Sequence, residues 1–432
     1  MSSIITLDKL RFLINRFREK LWVKPLLVCV FSIAIVFAAQ LIDHLKVNDF
    51  FPKVEIESVE TLLSLMSASM LVIATFSVAS MVSAYAAASS SATPRSFTLV
   101  VADDVSQNAL STFVGAFIFS VVALIALKNS FYGDAGIFVL FSITVLAFAL
   151  VILTFVRWVD KIARLGRIGS TIDKVESAAQ NALERRMQSP TLGGKPISGS
   201  CTGGIPLYTK EIGYLQHIDM EALQQWANDH DAQVTLCVIP GNFISLDKPL
   251  AYISENIKSL PSADPSKLSE SFRIGKERTF EDDPRFGLIA LSEIAARALS
   301  PAVNDPGTAI QVLGSFVRLF SLFNKFSTLR TQGEIVFDRI SVPALRTEDM
   351  FDDAFTAIGR DGASTIEVGV RLKKALISLE LLDNLEIQKA AQHHKKVSLD
   401  RALSALTLEE DKRLLKELAH HVTRKDKLKF HE

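Results

Sequence analysis

The sequence has few cysteines and no net charge. Cys29, Cys201 and Cys237 are its only cysteines among 432 residues, too few and too far apart for a disulfide scaffold or a cysteine-ligated zinc site. Lys and Arg (47) balance Asp and Glu (47), so bulk charge favours no nucleic-acid partner. Phosphate-loop, dinucleotide, zinc-helix and serine-hydrolase motifs are absent. We therefore predict no catalytic residue, no cofactor and no metal ligand.

Hydrophobic residues, by contrast, are abundant. They make up 49% of the chain against 22% charged residues, and the mean hydropathy is +0.27. Before Arg157, four uncharged stretches are each long enough to cross about 30 Å of hydrocarbon. They cover residues 25–42, 61–94, 105–127 and 135–156. We predict a membrane α-helical fold with four transmembrane helices in residues 25–156, and the lipid bilayer as its first partner.

The basic residues near these stretches predict the orientation of the chain. Eleven lysines and arginines flank one set of ends and three flank the other, and the richer side is normally cytoplasmic. Residues 1–24 are then a cytoplasmic N-terminal segment, and everything after Arg157 is cytoplasmic as well. In that compartment we expect Cys201 and Cys237 to remain free thiols.

The second stretch is rich in serine and alanine. At about 100° per residue, Ser69, Ser77, Ser80 and Ala84 fall on one helical face. Small residues allow close helix packing in lipid, whereas aligned hydroxyls can line a path across the membrane. Both interpretations stay open, with packing favoured. No ionisable residue lies inside any stretch, which disfavours a proton-coupled transporter.

The cytoplasmic region is predicted to be α+β. Residues 157–188 keep a helical period and predict a juxtamembrane stalk that continues the fourth span. Residues 189–262 alternate β-rich runs with turns, which predicts a small β module, and residues 263–432 predict a mixed, mainly helical domain. The pairs His393-His394 and His420-His421 lack the i, i+4 spacing of a zinc helix and are interpreted as solvated helix surface.

The most distinctive segment covers residues 278–309. Asp283-Pro284 and Asp305-Pro306 each place a capping carboxylate before a proline at the first helical position. The alternative is a site in which acidic residues bind a cation, or arginines bind an anion. Capping is the favoured interpretation. The residues of interest under either hypothesis are Arg278, Thr279, Asp283, Asn304 and Asp305.

Several of these features together resemble a known family. They are the order of the four spans, Pro94-Arg95 after the second span, and the string Ser300-Pro301-Ala302-Val303-Asn304-Asp305-Pro306 followed by Thr308-Ala309. The chain resembles, over nearly its whole length, the bacterial membrane proteins of domain-of-unknown-function family 2254. Gly307 stands where that family often has a bulkier residue. The resemblance implies a multi-pass protein of the bacterial inner (plasma) membrane and brings no activity with it.

Four uncharged spans enclose little by themselves, so we expect a homo-oligomer. The leading hypothesis is an oligomeric channel or pore-type protein gated through its cytoplasmic region, for an ion or small ligand that the sequence does not specify. The alternative is a membrane-tethered sensor or scaffold without a pore. An enzyme comes third, because residues 278–305 would then have to carry a ligand or metal.

Overall fold

The computed structural model describes residues 23–41, 52–91, 93–101, 104–164, 166–197, 201, 203–254, 268–329 and 335–425. Most of the predicted N-terminal segment, residues 1–24, lies outside this part of the chain. The contacts divide the chain into two units, Met1–Thr171 and Ile172–Glu432.

Long apolar helices build the first unit. They are α1 (Val23–Leu41), α2 (Ile56–Ser91), α4 (Asp104–Lys128) and α5 (Asp134–Arg164), and the short helix α3 (Pro94–Val101) follows α2. The four long helices cover the four predicted apolar stretches. With 36 residues, α2 is about 54 Å long, which exceeds the thickness of the hydrocarbon layer.

Helix α4 is the centre of this unit, because α1, α2 and α5 all pack on it. Phe113 of α4 and Trp158 of α5 are among the largest fully buried side chains, and their rings meet edge to face at 6.2 Å. At one end of the helices, Lys128 pairs with Glu60 at 2.8 Å. At the opposite end, Lys24 donates a hydrogen bond to Asn108 at 3.3 Å. The outer surfaces carry many exposed large apolar side chains, as lipid-facing helices do.

The predicted continuous stalk over residues 157–188 is interrupted. Helix α5 ends at Arg164, and a separate helix, α6 (Ile168–Gln188), follows. Gly166 lies between them with φ +139°, a backbone conformation that side chains other than glycine rarely adopt. A Cβ added there would lie 3.3 Å from the Ala87 Cβ, so the residue has little room for a side chain. The physical reason for the break is thus this left-handed glycine.

Two small sheets lie in the second unit. The five-stranded sheet has the order β1-β8-β4-β6-β2, with β8 parallel to β1 and β4 and the other pairs antiparallel. The three-stranded antiparallel sheet has the order β5-β3-β7. The strands are β1 (Gly194–Pro196), β2 (Ile205–Leu207), β3 (Gly213–Ile218), β4 (Val234–Leu236), β5 (Phe243–Ile244), β6 (Ala251–Ile253), β7 (Phe272–Gly275) and β8 (Phe337–Val342). Strands β7 and β8 therefore join sheets from beyond residue 262, where the β module was predicted to end.

Helices make up the remainder of this unit. Helix α7 (Met220–Asp229) packs on β8, and the others lie later in the chain. They are α8 (Pro284–Ala298), α9 (Pro306–Leu329), α10 (Thr347–Asp361), α11 (Ile366–Glu380), α12 (Leu385–Ala405) and α13 (Glu409–Lys425). Phenylalanines from α9 and α10 form a buried aromatic cluster, with Phe320 and Phe351 4.2 Å apart between ring centroids.

His394 contacts that cluster, and its interpretation as solvated surface is wrong. The side chain is buried, lies against Phe351 and Phe355, and is 3.1 Å from Asp352. The apolar face of α12 packs on α10, and His394 falls on that face. The side chains of His420-His421 lie outside the described residues.

Five described helices, not four, are long and apolar enough to cross a membrane. The fifth is α9, so the predicted count of four is not confirmed by length and composition. However, β8 follows α9 in the chain and pairs with β1 and β4, which precede it. If α9 spanned the bilayer, these paired strands would lie on opposite sides of it. We infer that α9 belongs to the second unit.

The expectation that Cys201 and Cys237 are free thiols is also wrong. The two residues form a disulfide, with their Cα atoms 5.5 Å apart. Cys201 precedes β2 and Cys237 follows β4, and both strands pair with β6, so the sheet brings the two cysteines together. Disulfides are typical of oxidising compartments, whereas the basic residues predict a cytoplasmic location for this region. Cys29 is free.

Candidate functional site

The four residues of the predicted serine face of α2 lie in different environments. Ser77 is 0% exposed inside the helix packing, and its hydroxyl has no hydrogen-bond partner in the described part of the chain. Ser69 is half-buried and donates to its own helix, at the Leu65 carbonyl (2.7 Å). Ser80 and Ala84 are half-buried and lie together in a groove. The burial of Ser77 favours the packing interpretation for that residue.

That groove is an open cavity of about 480 Å³ within the first unit. Small side chains of α2 form one wall, and the end of α5 with the following turn forms the other. The lining residues are Ala79, Ser80, Ser83, Ala84, Ala87, Ile162, Ala163, Gly166 and Arg167. Arg167 is exposed and makes no side-chain hydrogen bond or ion pair with the part of the chain that the structure describes. The groove thus combines small walls, serine hydroxyls and one cation.

A second face of α2, missed at the level of sequence, is exposed along the helix. At about 100° per residue the small side chains of its central line fall within about 100° of arc, an arc that also holds the exposed apolar side chains of Leu65, Val72 and Val82. The line consists of Ser64, Ala68, Thr75, Ala79 and Ser83. We call it the exposed small-residue stripe. The helical spacing of these small residues is visible in the sequence, but only the packing of the helix shows that this face, among several serine-rich ones, is exposed.

In the second unit, Asp283 both caps a helix and forms an ion pair. Its carboxylate accepts hydrogen bonds from the backbone N–H groups of Arg285 (3.1 Å) and Phe286 (3.2 Å), at the start of α8. The same carboxylate accepts two from the Arg278 guanidinium, at 2.6 and 3.0 Å. The side chains of Arg278 and Asp283 are 14% and 3% exposed. The capping geometry predicted at Asp283-Pro284 is therefore present, with an added arginine.

Gly241 makes room for that carboxylate. It belongs to the Pro240-Gly241-Asn242 turn and has φ +96°. A Cβ at this position would lie 2.5 Å from Asp283 Oδ2, which no real side chain tolerates. The turn therefore lies directly against the ion pair, which the sequence did not indicate.

Arg285 continues the network toward α10. Its guanidinium donates to Asp353 at 2.6 and 3.2 Å and to Asp349 at 2.9 Å. Burial alone would lower the pKa of Arg285, but hydrogen bonding to Asp353 and the nearby carboxylates raise it overall. Arg285, Asp349 and Asp353 were not predicted, because the two aspartates lie more than 60 residues along the chain.

Arg186 is the most buried cation of this region, with 3% exposure. One of its terminal nitrogens donates weakly to the Asp282 carbonyl at 3.4 Å, and the other has no partner within the described residues. Burial lowers the pKa of Arg186, while the charges of Asp282 and Asp283 oppose that shift. The Asp282 side chain lies 2.6 Å from His217. Acidic and basic side chains alternate in this network. Its hydrogen bonds join α6, α8 and α10 to the loop that carries Arg278, which fixes the positions of these segments relative to one another.

Asp305 is not part of this network. It caps α9 by accepting from the Thr308 backbone N–H (3.1 Å) and hydroxyl (2.6 Å), and the hydroxyl bond lowers the pKa of Asp305. Asn304 precedes it with φ +50°. Thr279 is half-buried beside Arg278. The structure therefore brings Arg278 and Asp283 together, with Thr279 as the chain neighbour of Arg278, and leaves Asn304 and Asp305 at a separate helix start.

Within the described ranges, no group of three or more His, Cys, Asp or Glu side chains is placed to hold a metal ion. Apolar helices of membrane-spanning length and a C-terminal α+β region with small sheets define the class of the molecule, which is a multi-helix membrane protein. The chain belongs to DUF2254, a family described as predicted membrane proteins, whose model matches residues 18–378.

The chain is similar to proteins that are themselves described as uncharacterized. The chain is 36% identical over 112 residues to uncharacterized proteins of Mycobacterium tuberculosis and of Mycobacterium bovis. The match covers 25% of this chain and 22% of each relative, so the chain spans about a fifth of their length. No solved structure matches the chain.

Proposed function

We propose that the protein is an oligomeric membrane protein of the channel or pore type, with its C-terminal α+β region as the regulatory part. The observation that carries the proposal is the exposed small-residue stripe of α2. Its hydroxyls and small side chains face away from the protomer along much of the helix.

Among the described residues, close packing fills the interior of a single first unit. The interior of the first unit is filled by apolar side chains of α1, α2, α4 and α5, including Leu63, Phe113 and Leu140. A path across the membrane therefore requires several copies. On α2, the exposed polar residues include Ser64, Thr75 and Ser83. Their hydroxyls are the groups that would line a path between copies.

The stripe also suits contact between copies. In lipid, burying apolar helix surface against another helix gives no hydrophobic gain, because the lipid tails are equally apolar. Helices therefore associate through close packing at small residues. Ala68 and Ala79 lie near the middle of the stripe, and the exposed side chains of Val72 and Val82 stand on either side of them. We infer that the small positions between these valines receive side chains of the same helix in a second copy.

The experiment measures mass and conductance. Light scattering in mild detergent should give a multiple of the 47.5 kDa chain, and Ala68→Leu, which lies outside the groove, should shift it toward the monomer. Ala149→Leu is the matched control, because Ala149 is an exposed alanine of α5. If the Thr75 hydroxyls line a path, Thr75→Asp should change cation preference in planar bilayers while assembly survives, whereas loss of assembly would place Thr75 in a dry contact between copies. A parent that is monomeric in detergent and forms no cross-linked dimers in membranes contradicts the proposal.

A second candidate function is a membrane-tethered sensor or scaffold without a pore. The burial of Ser77 favours it, since a dry helix contact occupies the middle of the predicted face. The same bilayer recordings separate the two. If the assembled, unmodified protein passes no current under voltage, tension or changed ligand, the result supports the sensor or scaffold hypothesis and excludes the channel.

A further inference from the structure

Measured along α2 from Glu60, the groove between α2 and the end of α5 falls at the depth expected for the lipid headgroups. Ala79 to Ala87 lie about 28 to 40 Å along α2 from Glu60, which pairs with Lys128 at the opposite end of the helices. The hydrocarbon layer is about 30 Å thick, and about 40–45 Å with the headgroups. This wall of the groove therefore begins at the hydrocarbon edge and continues through the headgroup layer.

Helix α5 places the other wall at the same depth. It is uncharged from Ala135 to Val156, a length of about 33 Å, and the groove residues Ile162 and Ala163 follow this stretch. Gly166 lies beside Ala84 and Ala87 of α2, so the two estimates agree. Basic residues flank this end of the helix, with Arg157 and Arg167 both exposed.

The groove lining contains the groups that bind a phosphate and the hydroxyl or ester groups next to it. Arg167 supplies a positive charge that no described residue neutralises, and the Ser80 and Ser83 hydroxyls can donate hydrogen bonds. The volume of about 480 Å³ falls within the roughly 300–1,000 Å³ of small-ligand sites. The small side chains of Ala84 and Ala87 leave this space open.

We propose that this groove binds the headgroup of an anionic phospholipid, with its phosphate on Arg167 and its glycerol side against α2. The occupant is a lipid rather than a second chain because the charge faces a headgroup layer that is itself anionic. The inference does not rest on the oligomeric channel: Ala79 and Ser83 belong to both the stripe and the groove, but the charge on Arg167 that selects the lipid lies outside the stripe.

The test titrates the delipidated full chain in detergent with phosphatidylglycerol, with phosphatidylcholine and with inorganic phosphate, and measures bound lipid by native mass spectrometry. We expect phosphatidylglycerol to bind with preference, and Arg167→Gln to weaken it about fivefold, the equivalent of about 1 kcal/mol for one basic residue near a membrane surface. Arg157→Gln, which removes an exposed arginine of α5 outside the groove, should change it little. Ser83→Leu should reduce binding by filling the groove.

Other results overturn the proposal. Equal losses in Arg157→Gln and Arg167→Gln would mean non-specific attraction to a basic surface. Competition by millimolar inorganic phosphate would mean a free-anion site, and equal binding of phosphatidylcholine would remove the preference for anionic lipid. Dissociation of an oligomer by Ser83→Leu, with lipid binding unchanged, would assign the groove to a second copy of the chain.

Discussion

Replacing Asp283 by alanine removes a helix cap and an ion-pair partner in one step. Two backbone N–H groups of α8 lose their acceptor, which by itself costs about 1 kcal/mol. Arg278 also loses both of its hydrogen bonds in a site where it is 14% exposed. Removing one partner of a buried ion pair costs about 3–5 kcal/mol, and the residual exposure of Arg278 places this pair near the lower end.

The assay is thermal unfolding of the detergent-solubilised chain, followed by tryptophan fluorescence, because Trp226 reports on the second unit. For a unit of this size, 1 kcal/mol corresponds to roughly 2–4 °C, so Asp283→Ala should lower Tm by on the order of 10 °C. Asp283→Asn keeps the cap and loses only the charge-assisted bonds, and should cost about 1.5–3 kcal/mol.

Asp305 provides the matched control, since it caps α9 without an arginine. Asp305→Ala should cost about 1 kcal/mol, and Asp305→Asn should be nearly silent. If Asp283→Ala lowers Tm by no more than Asp305→Ala, the ion pair with Arg278 adds nothing and the reasoning is refuted. If Asp305→Asn abolishes a measured activity while Tm is unchanged, the capping interpretation of Asp305 is wrong instead.

Three further predictions concern other parts of the second unit. Gly241→Ala should destabilise it by more than Asp305→Ala does, because the new Cβ meets the Asp283 carboxylate and φ is +96°; an unchanged Tm would contradict this. Burial lowers the pKa of His394, so the neutral form is favoured on folding, and stability should fall as pH drops below the ordinary value of about 6.5. His394→Gln should flatten Tm in that range, and an identical slope would assign the effect elsewhere. The denatured chain should show one maleimide-reactive thiol before reduction and three after it. Three reactive thiols before reduction would show that Cys201 and Cys237 are not joined by a disulfide.

Local patterns predicted the membrane helices and the helix starts. An uncharged apolar run such as residues 135–156 acts through its own composition, so no knowledge of neighbours is needed. The Asp283 and Asp305 caps are also local, since each carboxylate bonds backbone or side-chain groups within three residues.

Contacts between distant segments were not predictable in this way. The disulfide requires the order of strands around β6, and the partners of Arg285 come from α10. The serine-rich sequence of α2 offers several faces of similar composition. Only packing against α4 and α5 decides that Ser77 is buried while Ala68 and Thr75 are exposed. The interruption of the stalk at Gly166 likewise depends on a backbone conformation that the helical period does not encode.

The topology of the chain tests the account most directly, because the spans, the assignment of α9 and the depth of the groove all depend on it. Single cysteines at Asn129, Lys210 and Ser404, which are exposed residues, can be labelled with a membrane-impermeant maleimide in right-side-out vesicles before and after lysis. We predict that Asn129→Cys is labelled at once and that Lys210→Cys and Ser404→Cys are labelled only after lysis. Labelling of Lys210→Cys and Ser404→Cys on opposite sides would make α9 a span, and labelling of all three on one side would contradict the account.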